Sequence, residues 1–227
     1  MRDKILLIFS HTTCFKPMKV FLISIVTLTL LTASCTPAAT PLVIGHRGAK
    51  GHMAENTLPS IKKAMDLGVD GIEIDVFRCA SGELVVFHDK TLEKLTNASG
   101  YVEDLTLDSL RKVKVLGNFN IPTLQEALDL ISAKVFLNIE LKGTQTAVLT
   151  HELLTPYLES GQWTTDKLMI SSFNWEELEL FYDVNKEIPI AVLTDADPLD
   201  AIPVAKQLQA KAINPNFRAL NQKNVNK

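Results

Sequence analysis

Residues 71–87 read GIEIDVFRCASGELVVF, and the spacing inside this stretch decides the fold. GIEIDVF (71–77) and ELVVF (83–87) are both rich in β-branched and apolar residues and read as strands. Only RCASG (78–82) joins them. A crossover between parallel strands needs about a dozen residues, so these two runs must be antiparallel neighbours, with Ser81-Gly82 as the turn. The rest of the chain argues for parallel pairing. Further strand candidates are PLVIG (41–45), VFLNIEL (135–141), LMISSF (168–173), IPIAVL (188–193) and KAINPN (211–216). Between them lie the helical patterns TLPSIKKAMDLG (57–68), PTLQEALDLISA (122–133), TQTAVLTHELLTPYL (144–158), NWEELELFYDVN (174–185) and DPLDAIPVAKQLQ (197–209). Thr57 and Asn174 suit helix N-caps, and Gly68 suits a helix stop. Strand and helix in alternation predict a parallel sheet: a TIM-type (β/α)8 barrel first, an open doubly wound sheet second.

On that reading ELVVF is the returning arm of a hairpin inserted after the second strand, rising above the barrel mouth. The weakly periodic segment Lys90–Asn120 would complete an insertion on the same rim. About six barrel strands then remain, where closure takes eight. The expectation is a barrel truncated after the sixth strand and lacking roughly two βα units. The domain would occupy residues 41–227.

The N-terminus is different in kind. From Met18 it reads MKVFLISIVTLTLLTASC, with a Lys near the start, an apolar run too short to span a membrane, and small residues before Cys35. That predicts an export signal over residues 1–35, with Met18 as an alternative start that leaves residues 1–17 upstream. The cysteine after the small residues resembles a bacterial lipoprotein signal, with Cys35 as the lipidated first mature residue. The simpler alternatives are ordinary cleavage, with Cys35 a spectator, or an uncleaved anchor. Export would put the protein in the bacterial periplasm or cell envelope, held to the membrane by lipid. Residues 1–34 carry Arg2, Lys4, Lys16, Lys19 and Asp3, net +3, so their removal takes the formal charge from −3 to −6. An acidic chain without a basic run excludes a general nucleic-acid binder. Of Cys14, Cys35 and Cys79, only Cys79 would remain as a free thiol, so no disulfide framework is available and packing must supply stability.

In parallel α/β folds functional groups gather at the carboxyl ends of strands. His46 and Arg47 follow PLVIG. Glu73 and Asp75 stand two apart in GIEIDVF and project to one side. Glu140 and Lys142 end VFLNIEL with the same spacing, and His88 and Asp89 end the hairpin arm. Carboxylates inside apolar runs need partners. Three of them, with no Cys or His at ligand spacing, suit a hard divalent cation, Mg²⁺ or Ca²⁺. Two histidines beside it could be general acid and base. Arg47 and Lys142 would balance an anionic substrate, most simply a phosphate. Together these groups suggest phosphodiester cleavage. Taken singly each has a plainer reading: an ion pair on a half-exposed strand, a structural histidine, or a helix cap at Glu55-Asn56-Thr57. His52 and His151 read as structural.

HRG (46–48), ENT (55–57), EID (73–75), HD (88–89), ELK (140–142) and SSF (171–173), in that order, resemble the glycerophosphodiester phosphodiesterase family. The resemblance runs from Leu42 to about Phe217. It implies a TIM-type barrel with a small insertion after the second strand. Glu73, Asp75 and Glu140 would bind the metal, His46 and His88 would form the acid/base pair, and Arg47 and Lys142 would meet the phosphate, with Glu55 in support. The implied reaction releases glycerol 3-phosphate and an alcohol from a glycerophosphodiester. Rival expectations are a phospholipase D-like enzyme acting on lysophospholipids or sphingolipids, and a non-catalytic surface protein that binds a phosphorylated ligand. The sequence departs from the family at Ala54, where Pro is common. A Trp-Thr segment of the family's last strands has no counterpart before Lys227.

Overall fold

The computed structural model describes residues 41–225. The expected export segment and Cys35 lie outside the described residues. The strands are β1 (Ile44–His46), β2 (Gly71–Arg78), β3 (Leu84–Val86), β4 (Phe136–Leu141), β5 (Leu168–Ser172), β6 (Ile190–Thr194) and β7 (Ala212–Pro215). The helices are α1 (Leu58–Asp66), α2 (Leu107–Leu110), α3 (Leu124–Ile131), α4 (Thr146–Glu159), α5 (Trp175–Val184), α6 (Ile202–Gln207) and α7 (Gln222–Val225). Six strands form one parallel sheet in the order β1-β2-β4-β5-β6-β7, the half-barrel of a TIM-type fold. β3 lies off this path, antiparallel to the end of β2 through Val76↔Val86, Phe77↔Val85 and Arg78↔Leu84. The short RCASG connection therefore has the geometry its length demands, and Gly82 takes a left-handed φ of 105° at the turn.

The helices start and stop where local chemistry dictates. The Thr57 side chain accepts from the Ser60 amide at the head of α1, and Gly68 ends that segment at φ 76°. The Asn174 side chain accepts from the Glu176 amide at the head of α5. At α3, Thr123 and Glu126 form a reciprocal capping box. The run 197–209 departs from the single helix its pattern suggests. It splits into a 3₁₀ turn at Pro198–Ala201 and the short α6, because Pro203 has no amide hydrogen to donate and suits a fresh first turn.

Among the described residues two apolar cores result. The larger lies between the sheet and its helices. Ile72, Ile74 and Val76 of β2 and Leu137, Ile139 and Leu141 of β4 pack there against α1, α3 and α4. The smaller belongs to the rim insertion, where Leu92, Val102, Leu110, Val113 and Val115 close on Phe77, Val85 and Phe87. Lys90–Asn120 shows little periodicity because its backbone is mostly irregular, yet it converges on a core of its own. The free thiol of Cys79 is buried within it.

Candidate active site

The other face of the same strands carries the polar groups. The chain leaves β1 through a tight left-handed turn, with Arg47 at φ 55° and Gly48 at φ 79°. A Cβ on Gly48 would stand 2.6 Å from Ser60 Oγ and 2.7 Å from the Ser60 carbonyl carbon, so only glycine lets the turn lie against α1. A non-glycine residue at positive φ stores strain, which here serves to aim Arg47. Its amide donates to Glu73 Oε2 at 3.0 Å, its Nη1 donates to Glu55 Oε1 at 2.6 Å, and its Nε lies 3.5 Å from Asp75 Oδ2. Glu55 thus returns at the head of α1 to hold the guanidinium.

Glu73, Asp75 and Glu140 converge. One carboxylate oxygen from each lies within 4.8 Å of the other two, and all three residues are buried. Burial, reinforced by the charge of Asp75, pushes Glu73 well above the usual carboxylate range, and the same two causes raise Glu140. Glu73 Oε1 and Asp75 Oδ1 are buried with no hydrogen-bond partner among the described residues. Crowded hard-oxygen donors with unsatisfied lone pairs fit a bound metal ion well.

Lys142 Nζ donates to Glu140 Oε1 at 2.8 Å, stands 3.9 Å from Asp75 Oδ1 and 3.4 Å from His88 Nε2, and lies 5.7 Å from the centre of the Phe173 ring. The Nδ1 of His88 is paired with Asp89 Oδ1. Burial alone would raise Asp89, but the bonds from His88 and Lys94 outweigh it and hold this carboxylate below its ordinary value. His46 Nε2 is 3.7 Å from Glu73 Oε2. Its pKa is lowered, first by burial and then by the charges of Lys50 and Arg47, which favours the neutral ring. His46, Arg47, His88, Asp89, Glu140 and Lys142 border a cleft of about 1060 Å³ at the carboxyl end of the sheet.

The candidate site residues His46, Arg47, Glu55, Glu73, Asp75, His88, Glu140 and Lys142 therefore meet at one place, while Cys35 lies outside the described residues. One was overlooked. Asn56, at φ 55°, donates from Nδ2 to Asp75 Oδ2 at 2.8 Å and accepts the Asp75 amide on Oδ1 at 3.4 Å. It fixes the carboxylate to the turn after β1. The available signal was that Thr57 alone accounts for the helix cap, leaving the asparagine of ENT without a task.

A parallel half-barrel with three carboxylates, two histidines and two cations at its strand ends is the frame of a phosphodiester-cleaving enzyme. The model of the glycerophosphoryl diester phosphodiesterase family matches residues 46–227, and the chain belongs to that family. It is 37% identical over 188 residues to a glycerophosphodiester phosphodiesterase of Caldanaerobacter subterraneus, covering 78% of this chain and 76% of that one. A Bacillus altitudinis enzyme of the same name is 33% identical over 190 residues, with the same coverage. Among solved structures, an Oleispira antarctica phosphodiesterase in complex with the product sn-glycerol-3-phosphate superposes with a TM-score of 0.72. It is 30% identical and is matched over 82% of this chain and 79% of its own.

Proposed function

We propose that this chain hydrolyses glycerophosphodiesters to glycerol 3-phosphate and an alcohol, with Mg²⁺ or Ca²⁺ held by Glu73, Asp75 and Glu140. The observation that carries the cation is the convergence of those three buried carboxylates, two of them with unpartnered oxygens. The product bound to the Oleispira antarctica relative supports glycerol 3-phosphate as the product here.

When bound, the cation supplies positive charge that polarises the phosphate and the attacking hydroxyl. Arg47 and Lys142 add two further positive groups at the cleft and offset the charge of the phosphodiester. Of His46 and His88, one takes the proton of the glycerol hydroxyl as its oxygen bonds to phosphorus. The other gives a proton to the alcohol oxygen as its bond to phosphorus breaks. Water then opens the cyclic phosphate. Asp89 holds Nδ1 of His88 and leaves Nε2 facing the cleft. Glu55 and Asn56 keep Arg47 and Asp75 in place.

A second reading rests on Phe173 and Phe217, which line the same cleft at 46% and 74% exposure and offer it an apolar wall. They favour a substrate bearing an acyl chain, such as a lysophospholipid. Release of glycerol 3-phosphate from glycerophosphocholine, run beside release of choline from lysophosphatidylcholine, separates the two. Chelator should abolish either activity, and Mg²⁺ or Ca²⁺ should restore it; full activity in chelator would remove the cation from the mechanism. The reading also includes export and a lipid anchor at Cys35, supported by the signal-like run before it. Labelled palmitate should enter the wild type and not Cys35→Ala.

A further inference from the structure

Two more polar side chains share the face of Glu73, Asp75 and Glu140, and neither the fold nor the proposed chemistry uses them. Asn138 precedes Glu140 by two residues on β4, so both project to the same side, and it pairs in register with Glu73. Ser171 on β5 pairs in register with Glu140. Asn138 is 8% exposed and Ser171 is fully buried. Neither Asn138 Oδ1 nor Ser171 Oγ has a hydrogen-bond partner among the described residues. Asn138 makes no side-chain hydrogen bond there at all, so flipping its amide would remove no partner and gain none. The neighbouring Ser172 shows the contrast: its Oγ donates to the Leu141 carbonyl at 2.7 Å and accepts from the Asn174 amide at 2.9 Å. The fold explains Ser172 and leaves Ser171 unexplained.

With Glu73 Oε1 and Asp75 Oδ1, this makes four orphaned polar atoms on one face of three adjacent strands. Folded proteins leave few such atoms, and a cluster of them marks a place for water or an ion. The other uncharged orphans among the described residues, Thr150 Oγ1 and Trp163 Nε1, come from α4 and the loop after it. A hard cation with few protein ligands keeps several waters, and their hydrogens need acceptors. Asn138 Oδ1 and Ser171 Oγ are buried acceptors beside the carboxylates, level in register with Glu73 and Glu140.

We propose that Asn138 and Ser171 are positioning residues, a polar floor that holds ordered water against a cation bound at Glu73, Asp75 and Glu140 and so sets how tightly that cation is held. The proposal rests on the cation reading above. Groups that orient a metal's own ligands typically change affinity by about 10- to 100-fold when removed.

The test uses the full chain stripped of metal: wild type, Asn138→Leu and Ser171→Ala. Mg²⁺ and Ca²⁺ are titrated by calorimetry, and the metal-free melting temperature is measured separately. Each variant should bind the cation about 10- to 100-fold more weakly, while its metal-free melting temperature stays level or rises because an orphaned buried atom is gone. Wild-type affinity in both variants would overturn the proposal. So would weaker binding accompanied by a lower metal-free melting temperature in both, which would assign the two residues to the fold. If the wild type binds neither ion, it is the cation reading that fails, and this proposal with it.

Discussion

β2 and β4 have two faces of opposite character, one residue apart along each strand. The helix-facing side chains, Ile72, Ile74 and Val76 with Leu137, Ile139 and Leu141, are wholly apolar and essentially inaccessible. The other face shows Glu73 and Asp75 with Asn138 and Glu140, almost as deeply buried and with several polar atoms unpaired. Burial stabilises the first face at about 25 cal/mol per Å² removed from water. On the second, burial opposes charge, which is why Glu73 and Glu140 are pushed upward. Stability and reactivity are thus divided by the period-2 alternation of the strand, and each can be broken without the other.

The largest expected effect comes from the reactive face. Glu140→Gln or Asp75→Asn should reduce cation-dependent glycerol 3-phosphate release to background, with the circular dichroism spectrum unchanged. His46→Ala and His88→Ala should each lower kcat by about 10²–10⁴, and the double variant by less than the product of the two, since they serve one proton relay. Near-normal turnover in either single variant would remove that histidine from the chemistry.

The apolar face should respond in the opposite currency. Ile74→Ala should lower unfolding free energy by about 2–5 kcal/mol in urea titrations and leave cation affinity where it was. A large loss of affinity there would mean that the faces are not separable.

Glu177 sits between these extremes. This buried carboxylate of α5 accepts from the amides of Gln145, Thr146 and Ala147 at 2.7, 3.0 and 2.8 Å, tying down the head of α4 just after Lys142-Gly143. Glu177→Gln should cost about 1–3 kcal/mol of stability and raise KM more than it lowers kcat, because the loop carrying Lys142 loosens.

The smallest effect is at α3. Burial would raise Glu126, but the bonds from Arg111 and Thr123 outweigh it, so its folded pKa is depressed. Its contribution is present above the unfolded value of about 4.3 and is lost as pH falls through the lower folded value. Glu126→Ala should therefore cost about 1 kcal/mol at neutral pH, kept small by solvent screening. The gap in melting temperature from wild type should close as pH falls through that lower folded value.

Much of this division was legible in the sequence. A connection of only RCASG forced β3 off the parallel sheet, and charges at four strand ends named the cleft. The caps at Thr57 and Asn174 were also readable, because capping is local chemistry. What escaped depends on distant partners. Asn56 acquires its role only when Asp75, 19 residues on, comes beside it. Ser171 was noticed only as part of the SSF motif and Asn138 not at all, because only register places them beside the buried carboxylates. The rim core escaped for another reason: irregular backbone has no period to detect, so Leu92 and Val115 gave no sign that they would meet.

The most direct test of the two-faced strand is the urea unfolding of Glu73→Gln beside wild type, first in chelator and then with Mg²⁺ or Ca²⁺ added. Removing a buried charge that lacks its cation should make the metal-free variant more stable than metal-free wild type. Added cation should then stabilise the wild type and leave the variant unmoved. A metal-free variant weaker than wild type, with both proteins stabilised equally by the cation, would contradict the account.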